Sequence, residues 1–327
     1  MARKLNKRET GIALGILSIF LLAAIILSLL LGSVFISPEE LLKSEILWQI
    51  RLPRVFLAAL VGLLLSTSGV ILQGILRNPL ADPYILGISA GGALGAAVSI
   101  ALGAQFVILG ISSVPVMAFI FALVAVFIVY RLSQVAGKTS PETLILAGVA
   151  LSSFCAAILS LIIILTGNLQ SIYFWLLGSL SSASWSNVST VIPYVIIGAG
   201  TAYFFSKELN ALLLGEEMAT TLGIEVEKTR LILIGTASLM TAAAVSVSGL
   251  IGFVGLIVPH WIRLIIGPNH RLLIPISALS GMLLMVIADT IARTVLSPME
   301  IPIGIIMALV GAPFFLYLLR RRRIEGK

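Results

Sequence analysis

What this chain has least of is charge: only 11% of its 327 residues are charged, against about 25% in a typical soluble domain. That deficit excludes an ordinary globular enzyme. Cysteine is nearly missing as well. The single Cys155 lies inside an apolar run, so no internal disulfide can form, and it reads as a buried structural thiol. The two histidines, His260 and His270, have no second ligand beside them in sequence, which argues against a metal site. Polar stretches never run beyond about 25 residues, so no soluble domain is expected and any energy source must come from another chain.

Apolar sequence fills the space that charge leaves. Hydrophobic residues make up 59% of the chain and the mean hydropathy is +1.14. Apolar runs recur from end to end, each long enough to cross a hydrocarbon core of about 30 Å as a helix. Spans are expected at 11–32, 53–73, 84–103, 114–131, 143–166, 187–206, 230–248, 250–266, 272–292 and 303–319. The fold class is therefore an all-α polytopic membrane protein of ten transmembrane helices, with residues 1–327 forming a single membrane domain. Arg3, Lys4, Lys7 and Arg8 before the first run imitate a signal peptide. That run is too long for one and no small-residue cleavage site follows, so it is expected to be the first span.

An even number of spans returns the chain to its starting side, and loop charge gives an independent check. With both termini cytoplasmic, all of the 21 basic residues except Lys43, Arg51, Arg54 and Arg293 fall on the cytoplasmic side. The positive-inside rule expects that asymmetry for this orientation, in a cytoplasmic (inner) membrane. The basic residues flank spans instead of forming a soluble patch, so the pI near 9.8 does not read as a nucleic-acid surface.

The stretch 230–266 is too long for one span and is interrupted by Gly249, Gly252 and Gly255. Two helices with a tight turn near Ser248 and Gly249 are expected; the alternative is one broken helix with an adjacent half-span. An ungapped offset of 180 residues superposes Ser66, Ser68, Gly69, Pro79 and Gly87 on Ser246, Ser248, Gly249, Pro259 and Gly267. It suggests two related halves, as transporters often have.

Few motifs carry chemistry. Gly87, Gly91 and Gly95 form overlapping G-x-x-x-G patterns and predict close helix packing along one face of the third span. Gly137, Lys138 and Thr139 imitate the end of a phosphate-binding loop, but Leu132 stands where the first glycine belongs, so this chain is not expected to bind ATP. No catalytic group is expected: a hydrolase pairing Ser248 with His260 fails because the histidine lies at the far end of its span. Asp289 and Arg293, four residues apart, are expected to form an ion pair in preference to a proton relay.

The longest cytoplasmic connection, 207–230, mixes leucines with Glu208, Glu216, Glu217, Glu225 and Glu227 and is broken by Gly215 and Gly223. Two short amphipathic helices joined at glycine are expected. An apolar face with nothing of its own to cover it suggests a docking element for a second protein; a membrane-surface helix would favour a basic polar face, and this one is acidic. On the other side, Arg51, Arg54 and Arg293 stand against the charge bias. They read equally as forks for a partner's carboxylates and as anchors or local partners of Glu39, Glu40, Glu45 or Glu300.

These segments resemble the FecCD-type permeases, the membrane subunits of importers for iron-siderophores, haem and cobalamin. The resemblance runs from about Leu47 to Arg320 through RLPRVFLAALVG (51–62), SGVILQGILRNPLADPYILGISAGGALG (68–95), LILAGVALSS (144–153), GLIGFVGLIVPHWIRLIIGPNHRLLIP (249–275) and ADTIARTVLSPMEIPIGIIMALVGAPFFLYLLRR (288–321). It implies a type II ABC importer permease that pairs with a second copy of itself in the lipid bilayer. Two cytoplasmic ABC ATPase subunits would hold the ATP and Mg, and an extracytoplasmic substrate-binding protein would deliver the cargo. In the family, arginines matching Arg51, Arg54 and Arg293 receive glutamates of the binding protein. Its coupling helices match Leu209 to Gly223, which singles out Leu213, Gly215, Glu216, Ala219, Leu222 and Gly223 for ATPase contact. The fifth span lines the pathway, with Thr139, Ser140, Pro141 and Glu142 at its inner gate, although Pro141 and Glu142 depart from the family's gate sequence. An ion-coupled secondary transporter is the competing class, disfavoured by the lack of a midplane charge cluster.

Overall fold

The computed structural model describes residues 7–32, 38–108, 110–135 and 138–325. Its α-helices are α1 (Lys7–Leu30), α2 (Pro38–Lys43), α3 (Leu52–Ile75), α4 (Ile88–Ala101), α5 (Ser113–Ser133), α6 (Pro141–Thr166), α7 (Leu169–Leu176), α8 (Trp185–Phe204), α9 (Ser206–Leu212), α10 (Glu216–Thr221), α11 (Val226–Ser248), α12 (Val254–Ile266), α13 (His270–Thr294) and α14 (Ile303–Glu325). Among the described residues seven helices are long and apolar enough to cross a membrane, and α4, α12 and the apolar part of α14 are shorter. Together they correspond to the ten expected spans. Among the described residues strand is confined to two short antiparallel pairs, one of which joins Gln134–Val135 to Lys138–Thr139.

Hydropathy identifies the spans without ranking their depth in the bundle. The α1 window has hydropathy 2.9 and is 11% buried, whereas the window that includes α3 has 2.4 and is 83% buried. α3 is the central helix, packed against α13, α11, α12, α8, α9 and α1. Small residues make that possible. A methyl group on Gly62 would strike the carbonyl of Gly281 on α13, and one on Gly69 would strike the carbonyl of Gly255 on α12. Lipid tails are as apolar as leucine, so close backbone approach supplies the packing that the hydrophobic effect supplies in water.

α11 ends at Ser248, and residues 249–253 are non-helical before the 13-residue α12. That confirms the expected break and starts the next helix deeper: α4 and α12, at 14 and 13 residues, reach only about 21 Å and 20 Å at 1.5 Å per residue. Irregular backbone at such depth needs internal partners. Tyr84 provides them, its hydroxyl donating to Ile251 O at 3.1 Å and accepting from Ile251 N at 2.9 Å. Gln73 Nε2 donates to Leu256 O at 3.1 Å.

Two expectations are corrected. Gly87 is not part of the α4 packing face. It sits before the helix at φ +77°, a left-handed conformation that glycine adopts without a Cβ penalty. Gly91 and Gly95 do pack as expected: a Cβ on Gly91 would lie 2.6 Å from both Ala125 Cβ and Phe121 O, and one on Gly95 would meet Met117 O. The offset of 180 residues also fails as a register, because Ser68 and Gly69 lie within α3 while Ser248 ends α11. What recurs between α3–α6 and α11–α14 is a long helix followed by a short one, not the residue alignment.

Candidate functional site

α3 and α13 run antiparallel and connect two sites at opposite ends of the bundle. At the first, residue 54 on α3 meets residues 289 and 293 on α13. Arg54 Nε donates to Asp289 Oδ1 and Oδ2 at 3.0 and 3.1 Å, and Nη1 donates to Glu300 Oε1 and Oε2 at 2.9 and 3.0 Å. Arg293 Nε lies 3.4 Å from Asp289 Oδ2, the expected i,i+4 pair. Its Nη2 donates to the carbonyl of Ser28 and, at 2.6 Å, to Ser28 Oγ on α1. Arg51 Nη1 donates to Leu29 O at 2.7 Å and Leu30 O at 3.0 Å, the terminal carbonyls of the same helix.

Of the two roles open to these arginines, the structure shows local pairing, Arg54 with Glu300: Arg51, Arg54 and Arg293 are 4%, 7% and 3% exposed, and Asp289 1%. The physical reason is the cost of an unpaired buried charge, which draws each guanidinium onto carboxylates or helix-terminal carbonyls. Of the two carboxylates, Glu300 is the one in reach of water, its side chain one-third exposed while that of Asp289 is 2% exposed. Sequence alone could not pair Arg54 with Asp289, 235 residues away.

At the opposite end lie α9 and α10, the two short helices expected in 207–230, joined through Gly215 at φ +111°. α9 is rooted in the main core by Leu209, whose Cδ2 would be 2.9 Å from a Cβ on Gly74 of α3. α10 belongs to a separate small cluster of Ala211, Leu212 and Ala219. It exposes Met218 at 50%, and the residues flanking the helix, Leu214 before it and Leu222 at its C-cap, are 68% and 60% exposed, which together make an apolar patch. Of the residues expected to meet a partner, Leu222 is in that patch, Gly223 is exposed and Leu213 half-buried. Ala219 is corrected: it is fully buried and holds α10 to α9. Glu216 points inward to Arg230 Nη2 at 2.6 Å. Leu214 and Met218 were missed, although their spacing of four was visible in the sequence.

The segment expected to gate the path begins in the Lys138–Thr139 strand and ends in α6. Thr139 is 2% exposed. Ser140 is the N-cap of α6, its Oγ accepting from Thr143 N at 3.2 Å, and Pro141 occupies the first turn, where a missing N–H costs nothing. Glu142 is exposed beside them. Thr143 Oγ1 donates to Ser133 O at 3.0 Å and closes the connection from α5. Of the imitation phosphate loop, Lys138 and Thr139 lie in that strand and Gly137 lies outside the described residues.

α6 itself is little covered: 11% of its window is buried, and it exposes Leu146, Val149, Phe154 and Leu161 together with Ser153 and Ser160. Beside it a cavity of about 530 Å³ is lined by Asp82, Tyr84, Ser152, Ser153 and Phe253. Burial pushes the Asp82 carboxyl up to about 6, against an opposing hydrogen bond from Tyr84 N. Asp82 is a cavity-lining acid that hydropathy does not single out, because it sits in a connection between spans.

With this geometry in place, comparison with known proteins is specific. The profile of the FecCD transport family matches residues 20–321. The chain is 47% identical over 278 residues to the cobalamin import system permease protein BtuC of Halobacterium salinarum, covering 85% of this chain and 74% of that one. It is 40% identical over 329 residues to the hemin transport system permease protein HmuU of Yersinia pestis, covering 96% and 97%. A solved inward-facing structure assigned to the metal-chelate type of ABC transporter superposes with a TM-score of 0.85 at 34% identity, covering 95% of this chain and 99% of the other.

Proposed function

The chain belongs to the FecCD transport family, and from that premise we infer that it is the membrane-spanning subunit of an ATP-driven importer carrying a metal chelate of the iron-siderophore, haem or cobalamin kind. It is a multi-pass permease, and ATP hydrolysis belongs to partner subunits. The observation that carries the reading is the division of labour between the two ends of α3 and α13: buried arginines with a water-reachable carboxylate at one end, an exposed apolar patch around a separately packed helix at the other.

In this reading the termini are cytoplasmic, α9 and α10 face the ATPase subunits, and the arginine end receives the substrate-binding protein. Leu214, Met218 and Leu222 suit a helix-in-groove contact. At the arginine end, docking exchanges internal acceptors for the partner's carboxylates, and Glu300 is the acceptor most easily released. The uncovered face of α6, with its serines and the adjoining cavity, supports a path formed between two copies of the chain. ATP binding shifts α10, and α6 with its neighbours swings between outward- and inward-open states, the free energy coming from differential nucleotide binding.

The cargo is tested where recognition resides. A thermal-shift screen of the cognate substrate-binding protein against metal chelates is expected to show stabilisation by one chelate class. The same chelate should accumulate in vesicles only with ATP. Uptake that persists without ATP would overturn the reading in favour of an ion-coupled transporter.

A further inference from the structure

We propose that Arg230 is the positioning residue that carries movement of α10 to the start of α6, an inference that rests on the reading of α10 as ATPase-facing and α6 as pathway-lining. Arg230 is 2% exposed at the base of α11, and its guanidinium reaches three segments at once. Nη2 meets Glu216 Oε1 at 2.6 Å, Nη1 meets Glu227 Oε1 at 2.5 Å, and Nη1 also donates to the backbone carbonyl of Thr139. Glu227 completes the ring, its Oε2 accepting from Thr139 N at 3.3 Å. Thr139 is thus held at both its backbone donor and its backbone acceptor. Arg77, from the connection after α3, adds a longer contact of 3.5 Å to the same Glu216 oxygen.

The placement of these groups turns a clamp into a link. Glu216 is the first residue of α10, whose other attachment is the small apolar cluster with α9. Thr139 stands two residues before Pro141, and Ser140 between them is fixed as the helix cap, so little slack separates Thr139 from α6. If Glu216 left, the buried guanidinium would keep Glu227 but lose the acceptor at Nη2, beside an Nε that already has no hydrogen-bond partner, and an orphaned buried donor is costly. When α10 moves, Arg230 follows Glu216 and Thr139 follows Arg230. Its planar fork also holds several acceptors at fixed angles, which a lysine ammonium on a flexible stem does not reproduce.

The test uses the complete transporter, co-expressed with its own ATPase subunits, in lipid nanodiscs and with Cys155→Ser as background. Spin labels at Glu217, exposed on α10 beside the apolar residues, and at Ile287 report α10 against the bundle; labels at Leu146 and Ile287 report α6. In the parent, ATP is expected to shift both distances. In Arg230→Gln and Arg230→Lys, ATP is expected to shift the first and leave the second in place, with substrate moved per ATP reduced about tenfold, as when one charge-assisted link is cut from a coupling path. If α6 still follows α10 in these variants, the proposal is overturned. If ATP shifts neither distance in the parent, the reading of α10 and α6 fails instead, and the two failures are distinct. Should Arg230 variants not assemble, Glu216→Ala removes the acceptor of the same link from a half-exposed position and is expected to give the same split between the two distances.

Discussion

At one end of the bundle Arg54 and Arg293 converge on Asp289; at the other, Arg230 gathers Glu216, Glu227 and Thr139. The chemistry is the same, a buried guanidinium with carboxylates, yet its attachments differ. The first cluster ties α1 and α3 to α13, the long helix against which both pack. The second ties a six-residue helix and a short strand to the foot of α11. One arrangement makes a rigid platform and the other a moving link, so an arginine's role follows from the stiffness of what it holds.

The comparison breaks first at Asp289. Asp289→Ala leaves Arg54 and Arg293 without their shared carboxylate in a buried site, and breaking such a pair is expected to cost about 3–5 kcal/mol. Thermal unfolding in detergent and the yield of membrane-inserted protein both read it. A stability close to the parent would mean that the platform is wet. Arg230→Gln should cost less, about 1–2 kcal/mol, because Glu216 and Glu227 are partly exposed and recover water; its larger effect is on coupling. Glu300→Gln sharpens the contrast at the smallest scale: this one-third-exposed acceptor is expected to contribute under about 1 kcal/mol to stability and, when lost, to free Arg54 and tighten docking of the binding protein.

Much of this was legible in the sequence, and for identifiable reasons. Ten apolar runs, the break at Gly249 and the paired short helices around Gly215 are local signals, and each is where composition placed it. The depth of α3 was not legible from hydropathy, which measures contrast with water and not contact with protein; Gly62 and Gly69 were the available signal. Arg230 reads in sequence as one more cytoplasmic flank charge because, apart from Glu227 one turn away on the same helix, its partners lie on another helix and on a segment 91 residues away. The inward face of Ala219 is not legible in sequence, because which side of a helix is covered depends on its neighbours, here Ala211 and Leu212.

The measurement closest to the central claim is the affinity of the substrate-binding protein for the nanodisc-embedded transporter, compared between the parent, Arg51→Gln and Glu300→Gln. The account predicts opposite signs, with Arg51→Gln weakened about tenfold or more by loss of a charge-assisted hydrogen bond and Glu300→Gln bound more tightly than the parent. Docking of Arg51→Gln at the parent's affinity would contradict it.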